Sequence, residues 1–247
     1  MPNIRSNISF GLVNIPVILN PIVKNNDTSF NQLHKKCLGR ISYRKYCPIC
    51  KMDLKESDII KAYRFEKEEY LEFSKKELED LKPDNTGEIE IVSFVSLKDI
   101  EPSYFEKSYQ LQPENKSRAY PLFVKALSKT NLVGLCKTIL NNKFYYAILR
   151  LYDTKIILTT LFFDEEIRFK EAEVTTKIDN KELDLAIRLI ESLKGVFEPE
   201  KYRDEYQDKV KEAIDAKLKG KKVVKSKKRT KKEVTDLMKA LEKSLKK

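Results

Sequence analysis

Tryptophan is absent from this chain of 247 residues, and histidine occurs once, as His34. With only 6 Gly and 9 Pro, collagen-like and low-complexity architectures are excluded. No apolar run approaches the roughly 18 to 20 residues of a membrane-spanning helix. The opening Met1-Pro2-Asn3-Ile4-Arg5 lacks the basic flank, apolar stretch and small-residue cleavage site of a secretory signal, so an intracellular protein is expected. Catalytic signatures are missing too: there is no P-loop, G-x-G-x-x-G, G-x-S-x-G or H-E-x-x-H. Adjacent acids such as Glu68-Glu69 and Glu165-Glu166 diverge on a helix or strand and read as solvated charge. A non-catalytic protein is expected.

What is present is a real core and a densely charged surface, with 41% hydrophobic and 35% charged residues, 12 Tyr and 12 Phe. The formal charge of +11 is unevenly spread. Residues 217–247 hold thirteen Lys and one Arg against Glu233, Asp236 and Glu242, which accounts for all of it. The rest of the chain is formally neutral. The basic excess therefore belongs to a tail, where Lys221, Lys222, Lys225, Lys227, Lys228, Arg229, Lys231 and Lys232 are candidates for contacting a polyanion.

The pattern predicts a β-rich body over 1–175, a helical arm over 176–218, a basic linker over 219–232 and an amphipathic terminal segment over 233–247. Residues 8–17 read as one strand, bent near Gly11 and ended or placed at an edge by Pro16. The alternation of residues 88–97 slips between Ile91 and Val92, which predicts a bulge. Residues 118–129 have helical spacing. Residues 144–151 and 155–163 form two strands joined at Tyr152-Asp153-Thr154. In the arm, Asp179 is a candidate N-cap, Gly195 a candidate stop, and a second helix is expected from near Pro199. Val234, Leu237, Met238, Leu241 and Leu245 fall on one face of a terminal helix that nothing nearby in sequence covers. That face fits a partner's groove, or folds back on its own body.

His34, Cys37, Cys47 and Cys50 form H-x2-C-x9-C-x2-C. Two short-spaced pairs around a short loop suit a tetrahedral, closed and therefore structural zinc site. The alternatives are three buried thiols beside a surface histidine, or a Cys47–Cys50 redox pair. Cys136 reads as a core thiol. The same loop, 34–50, carries Lys35, Lys36, Arg40, Arg44 and Lys45 interleaved with Tyr43 and Tyr46, and holds no acid. Cations with aromatics fit phosphate contact plus packing on base or sugar. A solvated face of a small zinc loop is the plainer alternative.

Ordered across the chain are Phe10-Gly11-Leu12-Val13-Asn14-Ile15-Pro16-Val17, Phe30-Asn31-Gln32-Leu33-His34-Lys35-Lys36, Arg118-Ala119-Tyr120-Pro121-Leu122 and Phe197-Glu198-Pro199-Glu200-Lys201-Tyr202. Val234-Thr235-Asp236-Leu237-Met238 follows near the end. This series resembles the bacterial Ku family, DNA-end-binding proteins of non-homologous end joining. Many relatives have Trp-Lys-Gly before the first motif, where this chain has Arg5-Ser6-Asn7. The resemblance implies a Ku-like β-barrel core with bridging segments, a C-terminal helical arm and a flexible basic tail. It also implies a homodimeric ring that threads double-stranded DNA ends and recruits an ATP-dependent DNA ligase through the terminal segment, in the cytoplasm at the nucleoid. Two other classes stay open: a zinc-containing single-stranded nucleic-acid or RNA-binding protein, and an enzyme whose acids converge in three dimensions.

Overall fold

A computed structural model describes residues 4–82, 87–170 and 179–221. The chain divides into two compact units, Met1–Asn25 with Asn31–Phe169, and Asn26–Phe30 with Lys170–Lys247.

The strands in chain order are β1 (Ile4–Phe10), β2 (Val13–Pro21), β3 (Tyr46–Cys47), β4 (Met52–Asp53), β5 (Lys61–Glu66), β6 (Glu69–Phe73), β7 (Glu88–Val95), β8 (Phe105–Pro113), β9 (Val133–Leu140), β10 (Lys143–Tyr152) and β11 (Lys155–Leu161). Two helices accompany them in the first unit, α1 (Lys75–Asp80) and α2 (Ala119–Thr130). Seven strands close into a barrel in the order β1-β2-β8-β11-β10-β9-β7. The seam between β1 and β7 is parallel, with Asn7 opposite Glu88. The other contacts around the barrel are antiparallel.

The first motif is a hairpin rather than one bent strand. β1 turns at Gly11-Leu12 into β2, and Gly11 takes φ 57, a left-handed conformation that costs glycine little. Pro16 does not end the strand: it lies inside β2, opposite Asn7. Its carbonyl accepts from the Glu114 N–H at 3.1 Å. The N and C=O of one strand residue point to the same side, so its missing N–H falls just past Pro113, where the β2–β8 ladder has ended.

Alternation then builds the interior. Ile15, Val17 and Leu19 of β2 are buried, with Ile8 of β1, Ile89 of β7, Leu111 of β8, Ala147 and Leu149 of β10, and Ile156 and Leu158 of β11. Each of these Ile, Val and Leu side chains contributes about 1.5–3 kcal/mol by leaving water. The expected slip in β7 is present as a register shift between Ile91 and Ser93. The expected hairpin of β10 and β11 turns with Asp153 at φ 53. Helix α2 adds Phe123 and Leu127 to the core cluster. Phe123 stacks on Phe10 with ring centroids 5.2 Å apart. Among the described residues, buried polar side chains are satisfied: the Ser6 hydroxyl donates to the Gly87 carbonyl at 2.8 Å, and the Thr138 hydroxyl to the Glu88 carbonyl at 2.9 Å.

In the second unit, helix α3 (Asn180–Ser192) is capped by Asp179, whose carboxylate accepts from the Lys181 N–H at 3.3 Å. The next helix starts later than expected. Pro199–Lys201 makes one 3-10 turn, and α4 spans Glu205–Leu218. Asp204 supplies the stronger start: its Oδ1 accepts from the Tyr206 and Gln207 N–H groups at 2.9 and 3.1 Å. Gln207 Oε1 in turn accepts from the Thr28 N–H and hydroxyl at 3.1 and 2.9 Å, which ties residues 26–30 to α4. No helix among the described residues is long and apolar enough to cross a membrane.

Candidate nucleic-acid interface

Between β2 and β7 the chain leaves the barrel and comes back to it, and no described side chain over residues 31–82 is buried. This excursion holds the candidate metal ligands and the basic loop. It also holds two small hairpins, β3–β4 and β5–β6.

The metal candidates form two separate pairs. His34 Nδ1 lies 3.0 Å from Cys37 Sγ. Around them, the His34 N–H donates to the Gly39 carbonyl at 2.9 Å, and Leu33 bridges Arg40. Cys47 ends β3 and Cys50 lies in the turn to β4, and the Cys50 N–H donates to Cys47 Sγ at 3.5 Å. That bond and the Ile49 N–H stabilise a thiolate and hold the Cys47 thiol below its ordinary value, while its partner Cys50 is pushed up by sharing a hydrogen bond with it. All three thiols are free; Cys37 and Cys50 are exposed and Cys47 is half-buried. The reading as three buried thiols is therefore excluded. Cys47 and Cys50 do not stand at a helix start, which is the usual setting of a redox pair. Among the described residues, no three His, Cys, Asp or Glu side chains converge closely enough to hold an ion. Cys136 is buried as expected, with its thiol donating to the Ala147 carbonyl at 3.2 Å.

The five basic candidates divide into two groups. Arg44 pairs with Asp53 at 3.3 Å, and Lys45 pairs with Glu56, whose carboxyl it holds below the usual range. Lys35, Lys36 and Arg40 make no ion pair among the described residues, and all are exposed. Tyr43 stands 85% exposed beside them, its hydroxyl donating to Gln32 Oε1 at 3.1 Å. Asp53 and Glu56 lie just beyond the acid-free stretch, so the loop's charge is partly offset by residues that sequence reasoning left out. Their proximity follows from the β3–β4 register, which sets Tyr46 against Asp53.

The β5–β6 hairpin is a second exposed feature, whose residues were not among the site candidates read from the sequence. Tyr63 and Leu71 are cross-strand partners, 64% and 54% exposed. Phe65 and Tyr70 are exposed as well. The alternation of Lys61-Ala62-Tyr63-Arg64-Phe65-Glu66 signals a strand with one apolar face, but no core lies against that face. An isolated two-stranded hairpin is marginal in water.

Of the tail candidates, Lys221 closes the described residues and is exposed. Lys222, Lys225, Lys227, Lys228, Arg229, Lys231 and Lys232 lie outside the described residues, as do Val234, Leu237, Met238, Leu241 and Leu245.

The sequence of the Ku70/Ku80 beta-barrel domain family matches residues 9–185. The chain belongs to the Ku family. It is similar to the non-homologous end joining protein Ku of Desulfitobacterium hafniense, 38% identical over 244 residues, covering 98% of this chain and 86% of the relative. The protein of the same name from Heliobacterium modesticaldum is 36% identical over 244 residues, covering 96% and 88%. That of Bacillus subtilis is 35% identical over 250 residues, covering 98% and 80%. The closed Ku barrel is thus present, and the excursion between β2 and β7 is part of the matched stretch.

Proposed function

We propose that this Ku-family chain binds double-stranded DNA ends without reading sequence, as a homodimeric ring in non-homologous end joining. In this reading it recruits an ATP-dependent DNA ligase, catalyses nothing itself, and works in the cytoplasm at the nucleoid. The observation that carries it is the excursion at 31–82, which has exposed cations and exposed aromatics but no buried side chain. Such a segment gains little by folding on itself. Its apolar hairpin face suits a second copy of the chain, since a twofold interface is self-complementary. The exposed apolar side of α3, with Leu183, Ile187 and Ile190, supports the same reading. Lys35, Lys36 and Arg40 suit phosphates, which position a protein on DNA but carry no base information.

Exposed Tyr43 favours one other reading, base stacking on single-stranded nucleic acid or RNA. One experiment separates the two. Linear duplex, covalently closed circles, nicked circles and single strands compete for the protein at moderate salt. A ring loads only at an end, so linear duplex outcompetes both circles, and duplexes of unrelated sequence bind alike. Equal competition by closed circles per base pair overturns the ring, and preference for single strands favours the alternative.

A further inference from the structure

We propose that His34, Cys37, Cys47 and Cys50 close on one zinc ion that takes the place of a hydrophobic core in the excursion between β2 and β7. The two pairs are built alike. In each, the second ligand is followed at once by a residue in the left-handed region: Leu38 at φ 55 after Cys37, and Lys51 at φ 53 after Cys50. Neither is glycine, and a left-handed leucine is an uncommon, strained conformation. The same backbone conformation thus recurs at the same place in both turns, as two matched two-ligand knuckles would require. Lys51 adopts this conformation where glycine would do so freely.

The sulfur positions fit as well. A Cβ built on Gly39 would stand 3.3 Å from Cys37 Sγ, so the absent side chain leaves room for that sulfur. The Cys50 N–H points at Cys47 Sγ at 3.5 Å, a bond that favours thiolate over thiol. On a tetrahedral zinc, bonds of about 2.1 Å to nitrogen and 2.3 Å to sulfur put the two ligand atoms roughly 3.5 Å apart. His34 Nδ1 and Cys37 Sγ, at 3.0 Å, need open only slightly.

Bringing the pairs together asks for little chain. The Leu33–Arg40 bridge closes the first turn, and β3 begins at Tyr46, so residues 41–45 alone join them. The hydrogen bond from Tyr43 to Gln32 already folds this tether back on the first turn. No hydrophobic core holds the stretch: no described side chain from 31 to 82 is buried. Zinc binding contributes folding free energy directly where no core exists. Three thiolates and one neutral imidazole complete a closed shell with no open position, so the ion is structural. It would fix the shape of the stretch that bears Lys35, Lys36, Arg40, Arg44 and Lys45.

The test uses the full chain purified without chelator. Elemental analysis should find about one zinc per chain. Exchange for cobalt(II) should give the intense visible bands of a tetrahedral site and a thiolate charge-transfer band scaled to three sulfurs. Cys37→Ser and Cys47→Ser should each lose the metal, Cys136→Ser should keep it, and His34→Cys should keep it with a fourth sulfur in the spectrum. Should a variant fail to fold, the cobalt spectrum of the parent still counts the ligands. Absence of metal, an octahedral cobalt spectrum, a Cys47–Cys50 disulfide, or zinc unaffected by Cys37→Ser would overturn the site. None of these readouts depends on binding DNA, so the metal and the ring stand or fall separately.

Discussion

Arg44 meets Asp53 across 3.3 Å, and the neighbouring Lys45 meets Glu56, so two of the loop's cations are already engaged with acids. Both pairs are largely exposed and contribute little to folding. Their effect is electrostatic: each acid competes with a phosphate for its cation. Asp53→Asn with Glu56→Gln should tighten binding to linear duplex at low salt. The slope of log affinity against log salt should steepen by about 0.9 for each phosphate newly contacted. Binding isotherms over a salt series check this. An unchanged slope places the loop away from DNA.

The barrel and the excursion should respond oppositely to truncation. Leu149 is fully buried in β10, and Leu149→Ala should cost about 2–5 kcal/mol in urea unfolding. Tyr63 and Leu71 face solvent on the β5–β6 hairpin. Replacing both by Ala should leave barrel stability within about 0.5 kcal/mol, as for ordinary surface sites. The same change should weaken self-association, read by sedimentation as a shift toward monomer at low concentration. A double variant that sediments like the parent removes the hairpin from the proposed dimer contact.

Alkaline conditions should destabilise the barrel. Burial raises the Tyr120 and Tyr109 hydroxyls and the Cys136 thiol above their ordinary values. In the unfolded chain these groups release protons near pH 8.5 for Cys and about 10 for Tyr. Above those values the folded state holds more protons than the unfolded one, so unfolding free energy falls as pH rises. Stability should be flat to about pH 8 and then decline. Tyr120 also donates to the Leu111 carbonyl at 2.7 Å. Tyr120→Phe should therefore cost about 0.5–1.5 kcal/mol at neutral pH, yet make the alkaline decline shallower. Urea midpoints across pH 7–11 give both readings.

The barrel was legible where local patterning and tertiary demand agreed. The β10–β11 hairpin announced itself through two apolar runs around Asp153, and the β7 bulge through one slipped alternation at Val92. Pro16 misled because its cost depends on which neighbour its nitrogen faces, and that is a property of the ladder rather than of the strand. Pro199 misled similarly, since Asp204 offers two capping bonds where Pro199 offers only a suitable φ. In the candidate site, spacing marked the His34–Cys37 and Cys47–Cys50 pairs, but the left-handed residues that follow them, Leu38 and Lys51, carry no sequence signature. The pairing of Arg44 and Lys45 with acids was hidden because register, not sequence distance, decides it.

The chain beyond Lys221 carries the last prediction, which rests on its composition. Deleting residues 222–247 removes most of the basic excess. On duplex DNA those lysines would displace condensed counterions, so the deletion should weaken binding most at low salt and flatten the salt slope by about 0.9 per lost phosphate contact. Preference for ends should persist, because the proposed ring would create it without the tail. The stripe of Val234, Leu237, Met238, Leu241 and Leu245 should act separately. The helix that this spacing predicts would be marginal alone in water, so its apolar face would need a groove to dock in. Leu237→Ala with Leu241→Ala removes two anchors and no charge. It should leave DNA affinity unchanged while reducing stimulation of the cognate ligase about tenfold or more, as expected when docking anchors are truncated. A double variant that stimulates nick sealing as well as the parent would assign the stripe to this chain's own body instead.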